Sequence, residues 1–320
     1  MACRLVARTE GALHNLKLTM PNPLGKSPAQ DLHWLSTKVW EQIVASNTTA
    51  FLAAYGAGIR AERWGNALRW ISSAPLVTPP PPPPPSLSWQ PTTILFQEDL
   101  NPAATFLLGE TFQQEVTELG LHYAIDLSPN IAPGLFPDQR DNRLHLKSLR
   151  PARLLNLFAH TCAFGVLAAS VEAETLNIDS SSRSLARGKA NYQLNQLGGS
   201  THRFWTEDVR RVLPRLARRG EMFDAIILDP PTFAHGGRGR AFRIHRELEP
   251  LLLACLPLLT PRGSLLLSIN QAETTPTNLH STVREILQRE AFPAQIVPGH
   301  RPEDIPPERM PSTLWIVRQD

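Results

Sequence analysis

Cysteine is scarce. Cys3, Cys162 and Cys255 are spread over 320 residues and form no CxxC pair. That pattern excludes a disulfide scaffold and implies reduced thiols in a cytoplasmic compartment. The ten histidines are scattered and none has HExxH-like spacing, so no metal site is expected. No apolar run reaches the ~18 residues that a membrane span needs, so no membrane partner is expected. The opening stretch, MACRLVARTEGALHNLKLTM, lacks a continuous apolar core and does not read as a secretory leader. Charge of one sign is also in short supply. The net charge of +3 is a mild basic bias, compatible with a nucleic-acid partner without demanding one.

Proline and tryptophan are what stand out. Seven consecutive prolines, Pro79 to Pro85, cannot donate backbone hydrogen bonds and favour an extended, stiff spacer of about 22 Å. They divide the chain into a region 1–77, a proline-rich linker 78–88, a small β-rich segment 89–149 and a larger domain 150–320. Before the prolines, Leu32, Leu35, Val39, Ile43, Phe51, Leu52 and Tyr55 are spaced as on amphipathic helices, which predicts a helical N-terminal region. Trp34, Trp40, Trp64 and Trp70 in that region suit either a helix core or stacking on bases.

After residue 150 the pattern is regular. ARLLNLF, TLNID, HRFWTED, FDAIILD and GSLLLSIN read as strands, each followed by a helical stretch, and AQIVPGH and STLWIVRQ close the chain as strands. This alternation predicts an α/β fold, a mainly parallel sheet with helices on both faces. Ligands of such sheets bind beyond the carboxyl ends of the strands. Three successive strands bring an acid to that rim: Asp179, Asp208 and Asp229. Each acid also suits a helix N-cap.

Asp179 follows Asn156 by 23 positions, close to the interval of ~20 seen for an acid on ribose hydroxyls. The turn between them, AHTCAFGVL, is not GxGxxG, and no GxxxxGK[ST] occurs. A nucleoside ligand without phosphates suits this turn better than a dinucleotide or ATP, and S-adenosyl-L-methionine is the ligand expected.

The stretches PGLFPDQRDNR, LLNLFAHTCAFGVLAAS, NIDSSSRSLARGKANYQLNQL and FDAIILDPPTF occur in this order at characteristic intervals. Residues from about 89 to 320 resemble a class I SAM-dependent methyltransferase with a Rossmann-like seven-stranded sheet, closest to the RlmI/RlmK-like large-subunit rRNA methyltransferases. The resemblance implies roles. Asn156 and the turn with Phe158, Thr161, Cys162 and Ala163 would hold the methionine end of the cofactor. Asp179 and Ser180 would hold the ribose, and Asp208 and Val209 the adenine. Asp229, Pro230 and Pro231 would form a rigid corner beside the methyl group, with Phe233 stacking on a flipped base or plugging the site. Gln139 and Arg140 would fold back over the cofactor.

Two features set this chain apart from the pattern. The glycines usual in the turn are mostly missing. The cysteine that attacks the base in cytosine-modifying relatives is also missing, since the matching stretch is SINQAE, with Ser268, Ile269 and Asn270. The expected chemistry is therefore direct transfer to nitrogen or oxygen on a base of RNA, ribosomal RNA in particular. Arg238, Arg240 and Arg243, among glycines after the corner, would grip the phosphate backbone. At the level of sequence a small-molecule or protein acceptor stays open, as does a non-catalytic RNA-binding module of the same fold.

Overall fold

A computed structural model describes residues 32–320, apart from 57, 75, 77–79, 99–100, 130, 232, 235–241 and 272; the side chains of 101, 102, 233, 234, 242, 243 and 245 are also outside the description. The chain before the prolines contains β1 (His33–Trp34), α1 (Thr37–Ala45), β2 (Ala50–Gly56), β3 (Ile59–Trp64) and β4 (Ala67–Ser72). After the prolines come β5 (Thr93–Glu98), β6 (Asn101–Leu108), β7 (Gln113–Glu118), β8 (Leu121–Asp126) and α2 (Arg140–Leu149).

The expected helical region is corrected here: its described residues form a sheet with one helix. Val39 and Ile43 do lie on α1, which Ser36 caps by accepting from Val39 N. Phe51 and Leu52 lie on β2, where five successive residues are buried. A short strand buried on both faces shows a continuous apolar run, which periodicity does not separate from a helix. Trp40, Trp64 and Trp70 are buried as well, so three of the four tryptophans pack the interior and do not stack on an external base.

The prolines do not separate independent units. One six-stranded sheet runs in the order β1-β2-β3-β4-β5-β6, and β4 pairs with β5 in parallel, from Ala67↔Thr93 to Ser72↔Glu98. A parallel neighbour requires the chain to travel back along the strand before it pairs. The proline segment makes that return, and buried Leu87 at its end joins the cluster of Trp40, Phe51 and Trp70. The guanidinium of Arg63 lies over the rings of Trp40 and Trp89, 5.2 and 4.6 Å from their centroids.

The second sheet follows the predicted alternation. It is built from β9 (Arg153–Leu157), β10 (Glu174–Asp179), β11 (His202–Thr206), β12 (Phe223–Leu228), β15 (Leu259–Ile269), β16 (Ala294–Pro298) and β17 (Ser312–Arg318). Between β12 and β15, β13 (Phe233–Ala234) and β14 (Phe242–Arg243) form a two-residue ribbon. Helices α3 (Ala163–Ala169), α4 (Ser182–Leu194), α5 (Val209–Arg218), α6 (Ile244–Cys255) and α7 (Pro276–Arg289) connect the strands. The strand order is β11-β10-β9-β12-β15-β17-β16. The first five strands are parallel, and β17 runs antiparallel to both of its neighbours. Leu155, Leu157, Ile178, Ile226, Leu228 and Leu267 are wholly or almost wholly buried in one core against α5, α6 and α7. On the opposite face a second core joins Val166, Leu185 and Tyr192 to Tyr123 and Ile125 of β8 and to Trp64 and Leu95 of the first sheet. The β7–β8 hairpin thus cements the two sheets together.

Candidate functional site

The strand order of the larger sheet reverses between β9 and β12, and a crevice opens at their carboxyl ends. A cavity of about 750 Å³ occupies it, within the usual range for a small-molecule site. Asn156 pairs with Asn177 on β10 and with Ile227 on β12, so the ends of the three strands are level. Asp179, Asp208 and Asp229 all line this cavity.

The turn from β9 to α3 forms one wall. Phe158, His160 and Cys162 have φ of +55°, +47° and +61°, a left-handed conformation that costs a side-chain-bearing residue about 1 kcal/mol or more. The neighbourhood holds them there. Ala159 N donates to Ile178 O (2.9 Å), and His160 N donates to Asp179 Oδ2 (2.8 Å). The Thr161 hydroxyl donates to Gly134 O, and Asn191 Nδ2 donates to Thr161 O (3.0 Å). Tertiary contacts thus stand in for the missing glycines. Phe158, Thr161 and Ala163 line the cavity, as does Ser180 beyond β10. Cys162 does not. Its buried side chain fills the space left by Gly188 on α4, where an added Cβ would lie 3.1 Å from the Cys162 Cβ.

The three acids differ in what already occupies them. Asp179 accepts from two backbone groups, His160 N and Ser181 N, and a carboxylate with about four lone-pair sites has capacity left for hydroxyls. Asp208 caps α5 by accepting from Arg210 N (2.9 Å) and is held by the Arg210 guanidinium, which keeps its carboxyl below the usual range. Capping and a place in the cavity wall therefore coexist in this residue. Asp229 lies at the bottom beside Pro230 and Pro231; burial pushes its carboxyl up, and the Ser268 hydroxyl partly offsets this.

Gln139 is buried and lines the cavity, donating to Ser268 Oγ (3.1 Å) and accepting from Asn142 Nδ2 (2.9 Å). Arg140 does not line it, which corrects the expectation for that residue. Its guanidinium pairs with buried Asp304, which also accepts from Leu52 N (3.0 Å). Arg140 thus ties α2 to β2 and to the C-terminal segment. Val209 is buried and lines the cavity. The backbone of Phe233 pairs with that of Arg243 across the short ribbon. Their side chains, and the whole of Arg238 and Arg240, lie outside the described residues.

Several lining residues escaped the sequence reading, Arg143 and Asp138 among them. Arg143 is buried and bonded through two nitrogens to Glu118. Asp138 has an oxygen, Oδ1, that is shut off from solvent and has no hydrogen-bond partner among the described residues. Burial first, and the Asp229 charge second, push its carboxyl up to about 7. The only hint was their place in the charged stretch PDQRDNR. A second cavity of about 660 Å³ adjoins the first and shares Phe136, Asp138, Asn270 and Pro311 with it. Leu52 and Arg60 from the six-stranded sheet form its far wall.

The main cavity is therefore acidic, and two of its arginines are already neutralised, Arg143 by Glu118 and Arg210 by Asp208. It contains no glycine-rich phosphate cradle. A positively charged nucleoside without phosphates fits this set of donors and acceptors, and a polyphosphate does not. Among the described residues no cluster of histidine, cysteine, aspartate and glutamate suits a metal, and no helix is long and apolar enough to cross a membrane.

Comparison with known proteins agrees with this geometry. The large-subunit ribosomal RNA methyltransferase I of Tolumonas auensis is 34% identical over 175 residues, covering 53% of this chain and 44% of that one. The Serratia proteamaculans protein of the same name is 33% identical over 170 residues, covering 52% and 42%. The chain thus matches less than half the length of these relatives. In fold it is similar to SMU.776 in its complex with SAH, with a TM-score of 0.69 at 21% identity over 88% of this chain and 80% of that one. It is also similar to a SAM-dependent methyltransferase from Agrobacterium tumefaciens, with a TM-score of 0.67 at 21% identity over 85% and 90%. The profile of one family matches residues 87–306, which hold every lining residue of the main cavity except Pro311, and by that match the chain belongs to the S-adenosylmethionine-dependent methyltransferases.

Proposed function

We propose that this protein transfers a methyl group from S-adenosylmethionine directly to a nitrogen or oxygen atom of an RNA base, with ribosomal RNA as the substrate. The observation that carries this reading is the pair of adjoining cavities: the first is lined by the Asp229-Pro230-Pro231 corner, and the second shares Phe136, Asp138, Asn270 and Pro311 with it, which gives donor and acceptor separate rooms with a shared wall. The names of the relatives, both large-subunit ribosomal RNA methyltransferases, supply the class of acceptor.

The cofactor's contribution is a methyl group on a positively charged sulfur. Asp179 and Ser180 would hold its ribose, Asp208 and Val209 its base, and the 158–163 turn with Gln139 its amino-acid end. The proline corner, with fixed φ and two N–H groups fewer, would keep the acceptor in line, so that positioning supplies most of the rate. Neither described cysteine supports a covalent route. Cys162 and Cys255 are buried, neither lines either cavity, and burial pushes both thiols up, away from the reactive thiolate. Arg238, Arg240 and Arg243 would hold the RNA backbone.

Nucleoside mass spectrometry of ribosomal RNA from cells with and without the gene tests the reading. One methylated nucleoside should vanish with the gene and return on complementation; unchanged RNA refutes it. RNA carrying 5-fluorocytosine should form no stable protein adduct.

A further inference from the structure

We propose that Asp138 is the catalytic base, taking up the proton that the acceptor atom loses as it is methylated. The assignment rests on the methyl-transfer reading above and adds a residue to it. The new bond to the methyl carbon forms from the acceptor's lone pair, and the carbon–sulfur electron pair stays on sulfur. The sulfonium charge disappears, and the N–H or O–H proton passes to the Asp138 carboxylate and later to water.

Placement is the first argument. Four residues line both cavities, Phe136, Asp138, Asn270 and Pro311, and of these Asp138 alone has a titratable side chain. A base for the transferred proton belongs at that junction, because it must reach the acceptor where the acceptor meets the methyl group. The second argument is the Oδ1 oxygen, buried and without a hydrogen-bond partner among the described residues. Buried oxygens almost always hold a hydrogen bond, so this orphan leaves the Asp138 carboxyl with acceptor capacity unused among the described residues, which a proton taken from the acceptor would fill.

The other carboxyl groups are worse placed. Asp229 lines the first cavity only and already holds the Ser268 hydroxyl. Glu62 lines the second cavity only and is bonded to Arg60 and to Trp64 Nε1. Glu308 lines the second cavity only and is exposed to bulk water. His160 is confined to the first. The environment of Asp138 agrees with the role. Burial and the Asp229 charge bring its carboxyl to about 7, so that near neutral pH it is both available as a base and a willing proton acceptor.

The test uses the full-length protein, its Asp138→Asn variant, and ribosomal RNA from a strain lacking the gene. SAH affinity by calorimetry should agree between the two within about threefold, while single-turnover methyl transfer should fall roughly 10²–10⁴-fold in the variant. The wild-type rate should rise with pH to a plateau above an inflection near 7, and the variant should lack that inflection. Carboxyl ¹³C resonances of labelled aspartate should show one group titrating near 7 that is absent from the variant.

A variant that transfers at the wild-type rate overturns the assignment, as does an inflection that survives the substitution. Loss of SAH affinity in proportion to rate also overturns it, because Asp138 would then be holding the cofactor. Wild-type protein that binds SAH yet transfers nothing to this RNA overturns the acceptor reading itself.

Discussion

Arg143 on α2 and Glu118 on β7 meet through two parallel hydrogen bonds of 2.5 and 2.8 Å, with both side chains buried. Arg143 also donates to Phe136 O (2.8 Å), so the pair ties the hairpin to the segment that carries Asp138 and Gln139. Removing one partner strands a charge in the interior. Glu118→Ala should cost about 3–5 kcal/mol in urea unfolding and should weaken SAH binding through the displaced segment. A replacement of both residues by leucine or methionine should recover some of the stability, and calorimetry with SAH would then show whether the segment has kept its place.

The cofactor turn depends on a glycine far from it in sequence. A Cβ at Gly188 would crowd the Cys162 side chain and come 3.3 Å from the carbonyl carbon of Thr161. Gly188→Ala should destabilise by about 1–3 kcal/mol, despite alanine's better helix propensity, and should loosen SAH binding. Gly198 has open space around its missing Cβ. Gly198→Ala should leave both quantities unchanged, and an equal effect of the two substitutions would refute the packing argument.

Asp138 should make stability depend on pH. Its carboxyl lies at about 7 in the folded protein and near its ordinary value when unfolded. Between those two values the folded chain holds a proton that the unfolded chain releases, so this group's contribution falls as pH rises from about 4 to about 7 and is level above. Asp138→Asn carries no such penalty. Its melting temperature should exceed the wild type's at pH 8 and approach it at pH 4, in scans without ligand. A difference independent of pH would count against the buried, proton-holding carboxyl.

Arg238 and Arg240 are proposed to act on the acceptor only. Charge reversal at Arg238 and Arg240 should weaken RNA binding and flatten its salt dependence while leaving SAH affinity intact. Filter binding at two salt concentrations with calorimetry alongside separates this from misfolding, in which both affinities fall together.

Much of the catalytic domain was legible in the sequence because its signals are local. The run Ala225–Leu228 before Asp229-Pro230-Pro231 is a central strand ending at a rigid corner, and the alternation from Arg153 to Arg289 matches the elements of the structure closely. The N-terminal region was misread because Phe51 and Leu52, buried in β2, carry the same apolar density as a helix face. The proline segment looked like a divider because nothing near it in sequence reveals that β4 pairs with β5 across it.

From residue 150 onward the sequence by itself determined the order of strands and helices and the acids at the strand ends, since these follow from periodicity and short-range chemistry, and its motif stretches carried the resemblance to the family. Only the tertiary structure decided which way neighbouring side chains face. Thr161 meets the cavity while Cys162, in a left-handed conformation, turns to Gly188. Gln139 reaches Ser268 while Arg140 reaches Asp304, 164 positions away. Asp138 stands at the junction of the two cavities because partners distant in sequence build the walls around it. Such directions depend on packing between remote segments, and no local pattern encodes them.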